Sequence, residues 1–245
     1  MLGSIIQNRK WNWIAAGKHP VAKDYIRFGG PSPLLDAVAK WSDNGYRQLK
    51  GDKQQQSVYH SWRFWLKGVK KGTLICGLGR DSSDSIGRPY PLLIMGEGDL
   101  KGWEKQWSKL PCRLDKAWNR MEYIASHCFD SAPAMEAEIE RLNAPGKDTD
   151  PAVGSFEAVG GDTNHMDMIQ CKSQLLQDGF GLIGLNPAHG ADISQFALQC
   201  HHRLKECCSE IPRGVFIGGT PQQAYLGVVL HPLRPSDFVK LWSTG

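Results

Sequence analysis

The stretch from Ser57 to Met95 constrains this chain more than any other. It reads as an apolar strand (Ser57–Leu66), a turn (Lys67–Gly72), an apolar run (Thr73–Leu78), a polar loop (Gly79–Arg88) and another apolar run (Tyr90–Met95). Trp62, Phe64 and Leu66 alternate with Ser61, Arg63 and Trp65, and a period of two puts the first set on one face of a strand. Arg63 then belongs to the opposite face. Three such runs in succession predict the centre of a sheet. Between the last two lies Arg80-Asp81-Ser82-Ser83-Asp84-Ser85-Ile86-Gly87-Arg88-Pro89-Tyr90-Pro91. Its short polar side chains, glycine and two prolines leave no regular element able to persist. A loop of this density is the first place to look for function.

A chain of 245 residues is long enough to bury a sizeable core without metal or disulfide staples. Its seven cysteines, irregularly spaced and without a signal peptide at Met1–Lys10, fit a reduced cytoplasmic protein. No apolar run approaches bilayer length. Lys and Arg number 29 against 25 Asp and Glu, a mild excess spread along the chain that argues against nucleic acid as the main partner.

In chain order, Trp11–Ala16 predicts a first strand, and Val21–Ile26 alternates polar and apolar before Gly29-Gly30-Pro31. Ser32-Pro33 is a helix start: the hydroxyl can cap a free N–H, and proline lacks only a donor that would go unpaired anyway. Leu34, Leu35, Val38, Trp41 and Leu49 then recur at helical spacing. After Met95, Gly96–Gly98 reads as a break. Leu100–Cys128 reads as helical with an interruption near Pro111, its apolar stripe made by Leu114, Trp118, Met121, Ile124 and Cys128. A short helix over Ala134–Leu142 precedes Asn143–Gly161, a loop or linker. The last third alternates helices (Asp167–Gln177, Asp192–Cys208, Pro235–Trp242) with apolar runs (Phe180–Leu185, Gly214–Ile217, Tyr225–Leu230). The pattern predicts a single layered α/β/α domain over residues 1–245, with a mixed central sheet flanked by helices.

Chemistry is sparse. Cys200-His201-His202 and Cys207-Cys208 are metal-like in type, but Cys200 and Cys207 lie two helical turns apart, so buried, inert cysteines are the reading and no metal or cofactor is expected. Neither Gly17–Asp24 nor Gly77–Arg88 fits a phosphate-binding glycine pattern. No Gly-x-Ser-x-Gly elbow frames Ser82, Ser83 or Ser85. A conformational role fits the loop: Asp84 can accept from backbone N–H groups and Gly87 can supply a positive φ. Arg88 can pair with Asp24 or Asp84, or face outward as an interface anchor.

Three separated segments resemble one family. Gly17-Lys18-His19-Pro20-Val21-Ala22-Lys23-Asp24-Tyr25-Ile26 is similar to its opening Gly-Lys-Leu-Pro-x-x-Gly-Asp-Phe-Val, and Trp62-Arg63-Phe64 to its Trp-Arg-Phe strand. Ser82 to Leu92 resembles its Ser-Val-Asp-x-Val-Gly-Arg-x-Phe-Pro-Leu signature, with Asp84, Gly87, Arg88 and Pro91 kept. The family is TagF, also called ImpM, associated with bacterial type VI secretion. His19, Lys23, Asp81 and Ser85 depart from its pattern. The resemblance implies a cytoplasmic, non-enzymatic protein without cofactor that represses assembly or activation of the secretion machine after translation, in some members by binding a forkhead-associated component. It implies an interaction or structural role for Gly17, Lys18, Pro20, Asp24, Trp62, Arg63, Asp84, Gly87, Arg88 and Pro91. The alternative from another class is a hydrolase or phosphate-ligand enzyme using the Ser82–Arg88 loop.

Overall fold

The computed structural model describes residues 11–51, 58–146, 165–185, 193–208 and 210–244. Along the chain come strands β1 (Asn12–Gly17) and β2 (Ile26–Gly29), helix α1 (Pro33–Gly51), and strands β3 (Ser61–Lys67), β4 (Thr73–Arg80) and β5 (Leu92–Asp99). A 3-10 helix (Trp103–Lys109) leads into α2 (Leu110–Ser126), followed by α3 (Ala132–Glu140), α4 (His165–Asp178) and β6 (Phe180–Leu185). Helix α5 (Ile193–Cys207), strands β7 (Gly214–Gly219) and β8 (Ala224–Val229), and α6 (Pro235–Trp242) complete the fold.

The strands form one eight-stranded sheet in the order β2-β1-β5-β4-β3-β7-β8-β6. The layered architecture is as expected, but every pairing is antiparallel rather than mixed. The alternation of helices and runs suggests parallel neighbours. Instead β6 and β7, joined through α5, both pair with β8, which separates them. The strand alternation places Trp62, Phe64 and Leu66 under α1 and α6, together with Leu35, Trp41, Phe238 and Trp242. Trp65 looks the other way, into a second core with Trp103, Trp107, Leu114, Trp118 and Met121. Burying a side chain such as Phe64 is worth about 2 kcal/mol, and both faces of the central strands collect this gain.

Local signals explain most boundaries. The Ser32 hydroxyl accepts the Leu35 N–H at 3.1 Å and donates to Glu97 at 2.6 Å, so the predicted cap also ties α1 to β5. β3 begins at Ser61, since the His60 N–H bonds the Asp81 carboxylate at 2.8 Å instead of a strand carbonyl; the expected start at Ser57 lies outside the described residues. Gly96–Gly98 does not break β5. Their missing side chains make room for indoles: a Cβ on Gly96 would sit 2.2 Å from the Trp13 ring, and one on Gly98 2.7 Å from Trp11. The helical region is divided where expected, with Gln106 non-helical and a proline opening α2. Cys128 leaves the buried stripe and is exposed, because α2 ends at Ser126 and His127 is already extended. The predicted connection Asn143–Gly161 lies outside the described residues beyond 146.

Candidate functional site

The two loop motifs meet at one end of the sheet because β1 pairs with β5, setting Gly17 opposite Leu92. Gly17 has φ 129°, and a Cβ there would meet the Pro91 carbonyl oxygen at 2.1 Å, so the two backbones touch only because that position is glycine. Asp84 lies at the centre, its side chain fully buried. One carboxylate oxygen accepts the Ile86 N–H at 3.2 Å and the Arg88 N–H at 2.9 Å. The other accepts Lys18 Nζ at 2.9 Å and Arg88 Nε at 2.7 Å. The loops are also joined through their backbones, Ser85 N–H to the Ala22 carbonyl at 2.9 Å, and by Arg88 Nη2, which donates to the Lys23 carbonyl. Gly87, at φ 82°, makes the turn.

Burial alone would push the Asp84 carboxyl up, but the bonds from Lys18, Arg88 and Ile86 prevail and hold it well below the usual carboxylate range. Arg88 pairs with Asp84 and reaches Asp24 at 3.8 Å, so both pairings anticipated for it occur together. Asp24 also accepts the Tyr25 N–H at 2.8 Å. Pro20 is exposed at the rim and Pro91 is buried. What the unit turns outward is largely aromatic and aliphatic: Tyr25 is 47% exposed and Ile86 63%. Beneath Tyr25, Tyr90 packs edge-on, with its hydroxyl donating to Asp43 at 2.7 Å.

Trp62 and Arg63 are not part of this unit. Trp62 is fully buried beside Trp242, with ring centroids 6.3 Å apart. Arg63, on the opposite face as predicted, forks onto Glu122 at 2.7 and 2.8 Å and reaches Asp115 at 3.2 Å and Asn119 at 2.8 Å. Their places in the family motif are served by packing and by anchoring α2 to the sheet.

A hydrolytic reading of the loop needs a base. The nearest histidine in the motif, His19, is buried, and its Nδ1 accepts the Val21 N–H at 3.1 Å. Burial and the nearby Arg80 charge lower its pKa, with the Ala125 carbonyl working the other way. In the cysteine-histidine cluster, His201 Nε2 accepts the Trp65 indole N–H at 3.2 Å and its Nδ1 donates to the Ala197 carbonyl at 2.8 Å. Burial lowers the His201 pKa to about 4 and raises that of Cys200 to about 12. Among the described residues no three potential ligands gather in a metal-binding arrangement; the Cys207 side chain lies outside the described residues.

Sequence reasoning missed two features next to the loop. The first is a network closing the end of β3: His60 Nε2 donates to the Thr244 carbonyl at 2.8 Å, its Nδ1 faces Asp81 at 3.3 Å, and Trp242 Nε1 donates to Asp81 at 2.9 Å. Burial lowers the His60 pKa, but the bonds to Asp81 and Thr244 prevail and raise it. The second is a cleft of about 640 Å³ between the loop and the end of α2, with Arg80 in its wall. The signal for it is a lone charge ending the apolar strand Thr73–Arg80.

An antiparallel sheet covered by helices on both faces, with two loops closed around a buried carboxylate at one end, defines a layered α/β protein of motif-built surface. Within that class the chain belongs to the TagF N-terminal domain family, type VI secretion system-associated, which matches residues 15–144 and so contains both loop motifs. The crystal structure of PA0076 from Pseudomonas aeruginosa is similar over 95% of each chain, with a TM-score of 0.56 and 15% sequence identity; the likeness of fold therefore extends beyond residue 144. No curated protein sequence matches the chain.

Proposed function

We propose that this protein is a cytoplasmic, non-enzymatic regulator that represses type VI secretion after translation by binding a component of the machine, a forkhead-associated protein being the partner the family resemblance implies. The observation that carries this reading is the inward orientation of the signature's polar groups. Lys18, Asp84 and Arg88 satisfy one another, and the surface they stiffen exposes Tyr25 and Ile86. Aromatic and aliphatic groups held on a rigid, preorganised loop are what a protein interface uses as anchors. An enzyme would instead need a base hydrogen-bonded to a nucleophile, with oxyanion donors beside them, and among the described residues no histidine is hydrogen-bonded to Ser82, Ser83 or Ser85. Neither does any helix among the described residues have the length and apolarity to cross a membrane.

The test is co-purification from native cytoplasm of a secretion component carrying a forkhead-associated domain, using wild type, Ile86→Asp and Tyr25→Ala. Both substitutions fall on exposed side chains, and circular dichroism checks the fold. Capture by wild type and loss in the folded Ile86→Asp protein is the expected result. Equal capture by both moves the interface away from this loop, and failure of wild type to capture the component or to lower secretion on overexpression overturns the repressor reading.

A further inference from the structure

Arg80 closes β4, whose other residues are all uncharged. Strand alternation puts it on the face of Cys76 and Leu78, towards α2, and its register partner is Ser61. Its guanidinium lies over the Tyr59 ring, 5.1 Å from the centroid, with the Tyr59 hydroxyl in reach, while Nε is buried without a hydrogen-bond partner. No carboxylate among the described residues lies within ion-pair distance of it. The acids whose charges are felt at Tyr59, Asp81 and Glu122, are committed elsewhere. Asp81 serves the His60 N–H and the Trp242 indole, and Glu122 is held in the Arg63 fork.

A guanidinium in a cleft wall with no ion-pair partner is a ready contact for an anion. The cleft beside Arg80 also receives Ser82, Ser83, His127 and Phe129, and Asp81, whose carboxylate is held by the His60 N–H and the Trp242 indole. The hydroxyls of the two serines have no partner among the described residues. His127 stacks on Tyr123 with centroids 5.0 Å apart and meets Phe129 edge-on at 4.7 Å, giving the cleft an aromatic rim. A volume of about 640 Å³ exceeds a bare oxyanion and suits a small organic molecule.

We propose that this cleft is a binding site for a small phosphate monoester, with Arg80 as the central anion contact. A carboxylate is satisfied by the guanidinium fork alone. A phosphoryl group has three acceptor oxygens and uses the serine hydroxyls and the imidazole as well, while the rim of Tyr59, His127 and Phe129 covers the ester's organic portion. Binding sets an anion against a guanidinium that lies in the cleft wall and has no carboxylate within ion-pair distance among the described residues. The site is independent of the Tyr25 and Ile86 surface and requires no particular protein partner.

The test is thermal shift and calorimetric titration of the full chain with phenyl phosphate, inorganic phosphate and benzoate, at ionic strength matched with sodium chloride. Phenyl phosphate is expected to raise Tm and bind most tightly, with inorganic phosphate weaker and benzoate weakest. Arg80→Met keeps the aliphatic stem, removes the unpaired N–H and should weaken phenyl phosphate binding about tenfold or more. Ser83→Ala, at a partly exposed position, carries the same comparison with a smaller loss should the Arg80 variant fold poorly. Absence of binding, equal response to all three anions, or unchanged affinity in the folded Arg80→Met and Ser83→Ala proteins overturns the proposal.

Discussion

Arg63 and Arg80 lie on adjacent antiparallel strands and face the same helical layer, yet one is surrounded by carboxylates and the other has no ion-pair partner among the described residues. Arg63 is gripped by Glu122, Asp115 and Asn119 from successive turns of α2, and its charge is spent on docking that helix. Arg80 sits at the Ser61 rung, the last of the β3–β4 ladder. Beside it α2 runs out at Ser126, and the segment beyond borders a cleft rather than supplying Arg80 with an ion-pair partner. The contrast separates a cation that builds the fold from one that the fold holds ready. Lys18 and Arg88 belong to the first kind, both closed on Asp84.

The comparison breaks or sharpens by substitution. The largest effect is expected from Asp84→Asn, which leaves Lys18 and Arg88 without the buried charge that holds them and unties the two loops. Thermal melts at pH 7 should show the greatest fall in Tm for this variant. Because the folded carboxyl is held below its ordinary value, its stabilisation is present above roughly pH 4 and is lost as pH falls through the lower folded value. Melts of Asp84→Asn should accordingly lack that acid-side decline. His201 offers the opposite kind of burial, a site fitted only to the neutral ring. With its pKa lowered to about 4, the unfolded chain binds the extra proton between about pH 6.5 and 4, so stability should drop by roughly 3 kcal/mol across that window. Urea midpoints as a function of pH measure it, and His201→Gln should flatten the slope.

Arg63→Met should cost less, roughly 2 kcal/mol, since Glu122 and Asp115 are each about 40% exposed and water recovers part of the loss. Arg80→Met is the smallest: within about 0.5 kcal/mol of wild type, or more stable, because an unpaired N–H disappears. Equal urea midpoints for the Arg63 and Arg80 variants would erase the distinction between the two arginines.

Much of this fold is legible along the chain because its causes are local. Alternation assigns Trp62 and Arg63 to opposite faces, Ser32-Pro33 announces α1, and Asp84 with Gly87 shows the chemistry of a tight turn. What stays hidden depends on partners distant in sequence. Gly96 and Gly98 look like breakers until Trp11 and Trp13 lie over them. The antiparallel order depends on β3 pairing with β7, which no local pattern encodes. At the site, the motif exposes Asp84 and Arg88 as a pair but not Lys18 as their third member. Arg80 differs from Arg63 only through where α2 ends, a fact of three-dimensional placement. Two departures from the family pattern also acquire reasons: His19 is buried with its Nδ1 accepting the Val21 N–H, and Asp81 is the hub between His60 and Trp242.

That hub has a temporal side. The hairpin of β3 and β4 is made of near neighbours in the chain and can close early, whereas the bonds finishing its open end come from Trp242, 161 residues beyond Asp81, and Thr244, 184 residues beyond His60. Closing loops of that length is entropically slow and follows local pairing. On a ribosome, the bonds that finish this end of the hairpin therefore form only after nearly the whole described chain has emerged, whereas the knot of Asp84 with Lys18 and Arg88 needs only residues made long before.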